Sequence, residues 1–227
     1  MAGLRSLVLD LDGTLIDSVP AVAAAVNVVL AENGRETLAV DAVKAMVGRG
    51  ALATIEEALD ATGGRIDGEA EDLMDRYLEA YLDDPAASTL VYPNVVEILS
   101  AMQTDGIRLG ICTNKPEATC FPVLEAFDLK KFFPTVICGD TLEFRKPDPR
   151  HVFHTLDVMG ARRDDATFIG DSEADIEAAN NANLPSILVS FGYCHVPFEN
   201  LKTDAVIDHF DELDDCLNNI AAKRKAS

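Results

Sequence analysis

Two aspartates near the start of the chain are the residues best suited to chemistry. Asp10 and Asp12 stand two positions apart in residues 9–18, which read L-D-L-D-G-T-L-I-D-S. At a separation of about 4 Å and an effective dielectric constant of ~20, two such charges repel by roughly 4 kcal/mol. A fold carries that cost where a cation binds or where the carboxylates react. The alternative is an acidic Asp-Gly turn that merely follows a strand.

The residues before these aspartates predict where the pair lies in the fold. The apolar run 4–9 is typical of a buried strand in a parallel sheet. Open α/β folds bind their ligands at the C-terminal ends of such strands. We therefore expect Asp10 and Asp12 at the ligand-binding edge of a sheet.

Three later segments carry further polar groups at predicted strand ends or loops. Thr113 and Asn114 follow an apolar run, and Lys146 stands just before a predicted helix. Asp171 ends another apolar run, and Asp175 follows four residues later, so both carboxylates face one side of a helical turn. Taken alone, each segment also fits an ordinary turn, a surface lysine or an acidic helix N-terminus. The functional interpretation of these segments is stronger because all three occur in one chain with Asp10 and Asp12.

The pattern of elements predicts an α/β fold with an inserted helical unit. Helical patterns without a strand signal occur at 19–33, 40–47, 52–61 and 69–83, and Ser18 is the expected cap of the first. Helical and strand patterns then alternate along the chain. The helical patterns are 93–104, 117–127, 149–159, 174–182 and 210–223, and the strand patterns are 107–112, 135–138, 167–169, 186–189 and 205–207. This alternation predicts a Rossmann-like, doubly wound parallel sheet. We expect a core of residues 1–17 and 89–227 and a helical domain of residues 18–88.

The four polar segments resemble, in order, the four motifs of the haloacid dehalogenase superfamily. They are D-L-D-G-T from Asp10, T-N-K from Thr113, K-P at Lys146 and G-D-x-x-x-D at 170–175. The resemblance implies that Asp10 is a nucleophile that becomes an aspartyl-phosphate, and that Asp12 is the general acid and base. It also implies that Thr113 binds phosphoryl oxygens and that Lys146 holds the negative charge shared by Asp10 and the phosphoryl group.

The same resemblance implies a Mg²⁺ ion and a phosphate-binding surface. Its implied metal ligands are Asp10, the backbone carbonyl of Asp12 and Asp171. Asp175 is implied to stabilise these ligands through contacts that do not reach the metal. The implied substrate-binding residues are Gly13, Thr14, Thr113, Asn114, Lys146 and, in the inserted helices, Arg49. The carboxylate at Asp12 excludes haloacid dehalogenases and phosphonatases, which lack it because they have no ester oxygen to protonate.

The inserted helices resemble a cap of the family's first type, which closes over the site and recognises the leaving group. Within it, the stretch 47–50 reads V-G-R-G. Its two glycines let the backbone approach a ligand closely, and Arg49 offers a fork for a carboxylate or a second phosphate. A simple turn between helices with an exposed Arg49 is an equal alternative.

Taken together, the motifs and the Gly-Arg-Gly loop are most similar to those of phosphoglycolate phosphatases. We therefore expect Mg²⁺-dependent hydrolysis of a small phosphorylated metabolite, with 2-phosphoglycolate as the leading substrate. Three alternatives stay open. They are another small-metabolite or sugar phosphatase, a β-phosphoglucomutase-like enzyme of the same fold, and a non-catalytic binding module.

Composition narrows the partners and the compartment. The 227 residues carry a formal net charge of −20, which argues against nucleic acid and anionic membranes as partners. We see no signal peptide and no apolar run long enough to span a bilayer. The five cysteines follow no metal-binding spacing and are expected to be reduced thiols. We expect a cytoplasmic monomer or homodimer.

Overall fold

A six-stranded parallel sheet forms the centre of the protein, whose computed structural model describes residues 5–64, 70–84, 86 and 88–226. The strands of the chain are β1 (Ser6–Leu9), β2 (Ile16–Asp17), β3 (Leu90–Val91), β4 (Arg108–Cys112), β5 (Thr135–Ile137), β6 (Ala166–Gly170), β7 (Ser186–Val189) and β8 (Ala205–Ile207). The central sheet has the order β5-β4-β1-β6-β7-β8, and its pairs are parallel. The predicted parallel α/β architecture is therefore confirmed.

Helices cover both faces of this sheet. The helices are α1 (Val19–Glu32), α2 (Val40–Lys44), α3 (Ala51–Ala61), α4 (Ala70–Leu82), α5 (Val95–Thr104), α6 (Glu117–Ala126), α7 (Pro149–Met159), α8 (Glu173–Asn181) and α9 (Leu213–Ala226). Side chains along β1 alternate between two buried clusters: Leu7 and Leu9 join one, and Val8 joins the other with residues of α7 and α8. A strand buried on both faces explains why its sequence reads as a continuous apolar run.

A short antiparallel ribbon, which the sequence analysis did not predict, stands beside the main sheet. In it, Ile16 of β2 pairs with Val91 of β3, and Asp17 pairs with Leu90. Helices α1–α4 lie between these two strands along the chain. The two connections between the core and the helical segment therefore lie side by side, because β2 leads into the segment and its partner β3 follows it.

The helical segment packs around α1. This helix contacts α2, α3 and α4, and most of its apolar side chains are buried. Ser18 does not cap α1 through its side chain, contrary to expectation, because its hydroxyl bonds instead to a carboxylate of the preceding loop. Across the described parts of the chain, no helix combines the length and the apolar character needed to cross a bilayer.

Most predicted bounds agree with the structure to within two residues. The predicted helix 149–159 coincides with α7. The predicted helix 40–47 ends earlier, at Lys44, and the predicted helix 210–223 starts as a short 3₁₀ turn before α9. The predicted helix 69–83 begins at Ala70 in the structure, and its residue 69 lies outside the described residues.

Candidate active site

The parallel register brings the polar strand ends together. Leu9 at the end of β1 is flanked by Ile111 of β4 and Ile169 of β6. The residues that follow these strands therefore emerge at one edge of the sheet, which is where open α/β folds bind ligands. Asp10 follows β1 at the centre of that edge, as the sequence analysis predicts.

A buried lysine faces the first aspartate. The Nζ atom of Lys146 lies 2.9 Å from Oδ1 of Asp10, and the lysine side chain is 1% exposed. Burial raises the pKa of Asp10 to about 6, and the charge of Asp175 adds to this, although Lys146 opposes both. Burial alone lowers the pKa of Lys146, but the charges of Asp10 and Asp175 outweigh burial and raise it above its usual value. Lys146 is therefore a fixed positive charge beside the candidate nucleophile.

Asp171 is held in place from two sides. Its Oδ1 accepts a 3.0 Å hydrogen bond from the Thr14 hydroxyl, and its Oδ2 accepts a 2.7 Å bond from the backbone N–H of Tyr193. Gly13, with φ of +81°, passes so close that an added Cβ would lie 2.2 Å from Oδ2 of Asp171. Gly13 and Thr14, which are expected to bind substrate, thus both lie against Asp171, and their backbone N–H groups bond to the carbonyls of Ile16 and Leu11.

Asp175 connects the lysine to the start of α8. Its Oδ1 accepts a 2.6 Å hydrogen bond from Lys146. Its Oδ2 accepts hydrogen bonds from the N–H of Asp171 at 3.2 Å and from the N–H and hydroxyl of Ser172 at 3.0 and 2.7 Å. This arrangement is a capping box, in which two side chains satisfy the free donors of a helix start. Asp175 therefore fixes Lys146 and the Asp171 loop in one network.

The second aspartate of the first motif has a different lysine. Lys115 Nζ lies 3.0 and 3.1 Å from the two carboxylate oxygens of Asp12, and the Ser18 hydroxyl donates to Oδ1. The Nζ atom also lies 4.7 Å from the ring centroid of Tyr81 in α4. Burial alone lowers the pKa of Lys115, but the charge of Asp12 outweighs burial, so the pKa lies above its usual value. Asp10 and Asp12 thus contact different lysines.

Thr113 and Asn114 complete the sheet edge. The Thr113 hydroxyl is buried and accepts a 3.2 Å hydrogen bond from the N–H of Lys115, so its own proton can still be donated. The Asn114 amide donates to the carbonyls of Gly48 and Lys146, each at 3.0 Å. Asn114 therefore connects the Lys146 loop to the turn between α2 and α3.

A pocket lies between this sheet edge and helices α1–α4. It encloses about 540 Å³ of space, a volume that includes the solvent at its open mouth. Its lining residues are Asp10, Asp12, Val22, Val47, Gly48, Gly50, Ala51, Thr54, Tyr77, Thr113, Asn114, Lys115, Pro116, Thr119, Asp171, Ser172 and Tyr193.

Arg49 does not line this pocket, which differs from the expectation for a substrate-binding residue. Its side chain is 71% exposed and forms an ion pair with Glu57 of α3. The neighbouring glycines do line the pocket, and the carbonyl of Gly48 accepts a hydrogen bond from Asn114. In this conformation Arg49 takes the position of an exposed residue in a turn between helices.

Three buried carboxylates form a site that suits a divalent cation. Oxygen atoms of Asp10, Asp171 and Asp175 lie within 4.8 Å of one another. Burial raises the pKa of Asp171 well above its usual range, and the charges of Asp175 and Asp10 raise it further. The ammonium of Lys146 contacts Asp10 and Asp175, so three carboxylates share one positive charge. The excess of negative charge and the all-oxygen donors are what Mg²⁺ requires.

Two residues of this site carry roles that the sequence analysis did not assign. Lys115 belongs to the predicted motif T-N-K without a role of its own, and no predicted motif includes Tyr193. The Tyr193 hydroxyl accepts from the N–H of Ser18 at 2.9 Å and donates to Asp17 at 2.8 Å. Lys115 directly follows the predicted site residues Thr113 and Asn114, so its position in the sequence indicates a role at the site. The sequence around Tyr193 gives no such indication.

Comparisons with known proteins give a consistent result. A family model described as haloacid dehalogenase-like hydrolase matches residues 7–189. Phosphoglycolate phosphatase from Rhodospirillum rubrum is 41% identical to this chain, over 94% of the chain and 90% of that protein. Phosphoglycolate phosphatase from Caulobacter vibrioides is also 41% identical, over 90% of the chain and 87% of that protein.

A solved structure agrees with the observed fold. The crystal structure of a predicted phosphoglycolate phosphatase from Haemophilus somnus matches with a TM-score of 0.90 and 27% sequence identity. The match covers 95% of this chain and 98% of that one. It therefore includes both the parallel sheet and the helices inserted between β2 and β3.

Proposed function

This chain belongs to the haloacid dehalogenase-like hydrolase family, and on that basis we propose that it is a Mg²⁺-dependent phosphatase that converts 2-phosphoglycolate to glycolate and phosphate. One observation supports the proposal above the others. Asp10 and Asp12 line one pocket, yet each contacts a different lysine: Asp10 contacts Lys146, which it shares with Asp175, and Asp12 contacts Lys115. Two carboxylates in different electrostatic surroundings suit the separate roles of nucleophile and acid/base. The named relatives from R. rubrum and C. vibrioides support the choice of substrate.

The metal site fits the proposed cofactor. Asp10, the backbone carbonyl of Asp12 and Asp171 would hold Mg²⁺, and Asp175 supports them through its hydrogen bonds to Lys146 and the Asp171 loop. When bound, Mg²⁺ supplies positive charge against the carboxylates and the phosphoryl oxygens.

In the first half of the proposed reaction, Asp10 attacks phosphorus. A bond forms between a carboxylate oxygen of Asp10 and phosphorus as the bond from phosphorus to the ester oxygen breaks. The leaving oxygen takes a proton from the carboxyl group of Asp12. Lys146 stays beside Asp10, and the Thr113 hydroxyl donates to a phosphoryl oxygen, so both stabilise the charge that develops.

In the second half, water hydrolyses the aspartyl-phosphate. The carboxylate of Asp12 accepts a proton from the attacking water, phosphate leaves, and the carboxylate of Asp10 is restored. This use of Asp12, first as an acid and then as a base, requires that it faces both the leaving group and the incoming water. Its place in the pocket wall supports this proposed dual role.

Helices α1–α4 are proposed to form the cap over this pocket. The expected domain of residues 18–88 lies between the strands of the β2–β3 ribbon, and residues of α1, α3 and α4 line the pocket. Closure of the cap would exclude water before the first step. The five free cysteines fit a reducing, cytoplasmic location. The proposed assembly is a monomer or a homodimer.

A comparison of substrates tests the proposal. The purified protein should hydrolyse a panel of small phosphomonoesters at fixed Mg²⁺, with the highest kcat/KM for 2-phosphoglycolate. Asp10→Asn removes the nucleophile, keeps the shape and serves as the control for contaminating phosphatase. If β-glucose 1-phosphate with a trace of its bisphosphate yields glucose 6-phosphate instead of free phosphate, the mutase alternative replaces the proposal. If no phosphomonoester is hydrolysed at any pH, a binding module replaces it.

A further inference from the structure

Lys115 is the described cation best placed to meet a charged leaving group. Its side chain is 4% exposed and its Nζ atom lies 3.0 Å from Oδ1 of Asp12. Tyr81 of α4 covers it from the side of the inserted helices. Lys115 therefore sits where the sheet edge, the candidate acid/base and the helical segment meet.

We propose that Lys115 binds the carboxylate of 2-phosphoglycolate and so selects that substrate. This inference rests on the proposed function, and it assigns the recognition to the sheet edge instead of to Arg49. The ammonium would hold the carboxylate of the glycolate half while Asp12 protonates the ester oxygen of the same half.

The distance between the two substrate groups supports this assignment. A general acid must lie about 2.6–3.2 Å from the oxygen that it protonates. In 2-phosphoglycolate a single CH₂ group separates that oxygen from the carboxylate. Once the ester oxygen faces Asp12, the carboxylate must lie beside whatever group neighbours Asp12. In this structure the charged neighbour is Lys115.

The charges of the pocket lead to the same residue. Asp10, Asp12 and Asp171 line the pocket, so a substrate carboxylate enters a region that is already negative. Among the described lining residues, Lys115 is the one with a positive charge. A carboxylate that loses water without gaining a partner is strongly disfavoured. Among the described lining residues, Lys115 is therefore the partner with the complementary charge.

Two other cations near the site, Lys146 and Arg49, face elsewhere. Lys146 is directed at Asp10 and Asp175, which places it on the phosphoryl side. Arg49 points to solvent and pairs with Glu57. An ammonium has three donors, so Lys115 can contact Asp12 and a ligand carboxylate together.

Two substrates of matched length test the inference. The first is 2-phosphoglycolate, and the second is 2-hydroxyethyl phosphate, in which a neutral CH₂OH group replaces the carboxylate. Lys115→Met keeps the length of the side chain and removes the charge. We expect it to reduce kcat/KM for 2-phosphoglycolate at least about 30-fold more than for 2-hydroxyethyl phosphate, because a desolvated partner of a charge is lost. Lys115→Arg should keep most of the preference.

Two controls keep the result specific. Lys131→Met makes the same chemical change at an exposed lysine that pairs with Asp128, and it should leave the preference unchanged. In an Asp10→Asn background, which prevents turnover, calorimetry should show that Lys115→Met weakens binding of 2-phosphoglycolate more than of 2-hydroxyethyl phosphate. This second measurement decides the question even if Lys115→Met abolishes turnover of both substrates.

The outcomes separate this inference from the proposed function. If the unaltered protein shows no preference for 2-phosphoglycolate, the proposed substrate is wrong. If the preference exists and Lys115→Met retains it, or binding of both ligands falls equally, the inference alone is wrong. A preference that is lost in Arg49→Ala but kept in Lys115→Met would return the recognition to Arg49.

Discussion

The Nζ atom of Lys146 lies 2.6 Å from Oδ1 of Asp175, and the two side chains are 1% and 0% exposed. A buried pair of this kind is costly to break, because either partner alone is left as an uncompensated buried charge. Asp175 also accepts hydrogen bonds from Ser172, so the pair connects Lys146 to the start of α8. The position of Lys146 beside Asp10 therefore depends on Asp175.

We expect Asp175→Asn to impair both stability and turnover. An amide cannot accept from Lys146 and from the start of α8 with equal geometry, so the free energy of unfolding should fall by about 1–3 kcal/mol. The kcat value should fall at least tenfold, since Lys146 is no longer fixed. Urea unfolding and steady-state kinetics measure the two effects. Asp128→Asn makes the same change in an exposed pair and should alter neither quantity; a similar response from both variants would contradict the role of Asp175.

Metal binding should stabilise the protein through Asp171. At a Mg²⁺ concentration 100 times its Kd, binding adds about 2.7 kcal/mol to the free energy of unfolding. Thermal unfolding should therefore shift upward on replacing EDTA with Mg²⁺. Asp171→Asn removes a carboxylate from the cluster and should abolish most of that shift. An equal shift in both proteins would place the metal elsewhere.

The stability of the metal-free protein should depend on pH through Asp10. Burial raises the pKa of Asp10 from 3.8 to about 6 in the folded protein. Between these values the folded state binds more protons at Asp10 than the unfolded state, so the contribution of Asp10 to stability is greatest below about pH 4 and is lost as the pH rises to 6. The contribution is at most about 3 kcal/mol, using 1.36 kcal/mol per pKa unit.

Asp10→Asn isolates this contribution, because the amide does not titrate. In EDTA, the unaltered protein should lose more stability between pH 4 and pH 6 than Asp10→Asn does. Denaturant titrations at several pH values measure the difference. Parallel curves for the two proteins would contradict a raised pKa at Asp10.

Tyr193→Phe should disturb the first helix of the inserted segment without disturbing the metal site. The hydroxyl bonds to the N–H of Ser18 and to Asp17, whereas the contact with Asp171 comes from the backbone and survives the change. Loss of the hydroxyl leaves the buried N–H of Ser18 without its acceptor and should cost about 1–3 kcal/mol. We expect a lower kcat/KM with an unchanged thermal shift on adding Mg²⁺. If the Mg²⁺ shift is also lost, Tyr193 acts on the metal site itself.

Local signals allowed much of the fold to be predicted. Pro149 at the first turn and Gly160 at the left-handed C-cap define α7, and its predicted bounds match the structure. The β2–β3 ribbon was missed because two residues per strand give no periodicity. The ribbon forms because distant parts of the chain pair with each other, and local sequence patterns do not reveal such pairing.

The same distinction applies to the site. Asp10, Thr113 and Asp171 were predictable because each follows a strand of one parallel sheet. The pairing of Lys115 with Asp12 was not predictable, because the partners are 103 residues apart in sequence. For Arg49, the flanking glycines favoured an approach to ligand, but they do not determine the direction of the side chain, which turns to Glu57.

The β2–β3 ribbon has a consequence for how this protein could have diversified. A hairpin ordinarily needs only a short turn between its strands, and here residues 18–89 stand in place of that turn. The entropic cost of closing a loop grows only slowly with its length, so the core strands tolerate inserts of very different size. Evolution can therefore exchange or redesign the whole insert as a module, while the carboxylates and Lys146 stay on a scaffold that does not have to refold. Such an exchange would alter the part of the pocket wall that α1, α3 and α4 provide, while Lys115 and the carboxylates of the sheet edge would stay in place.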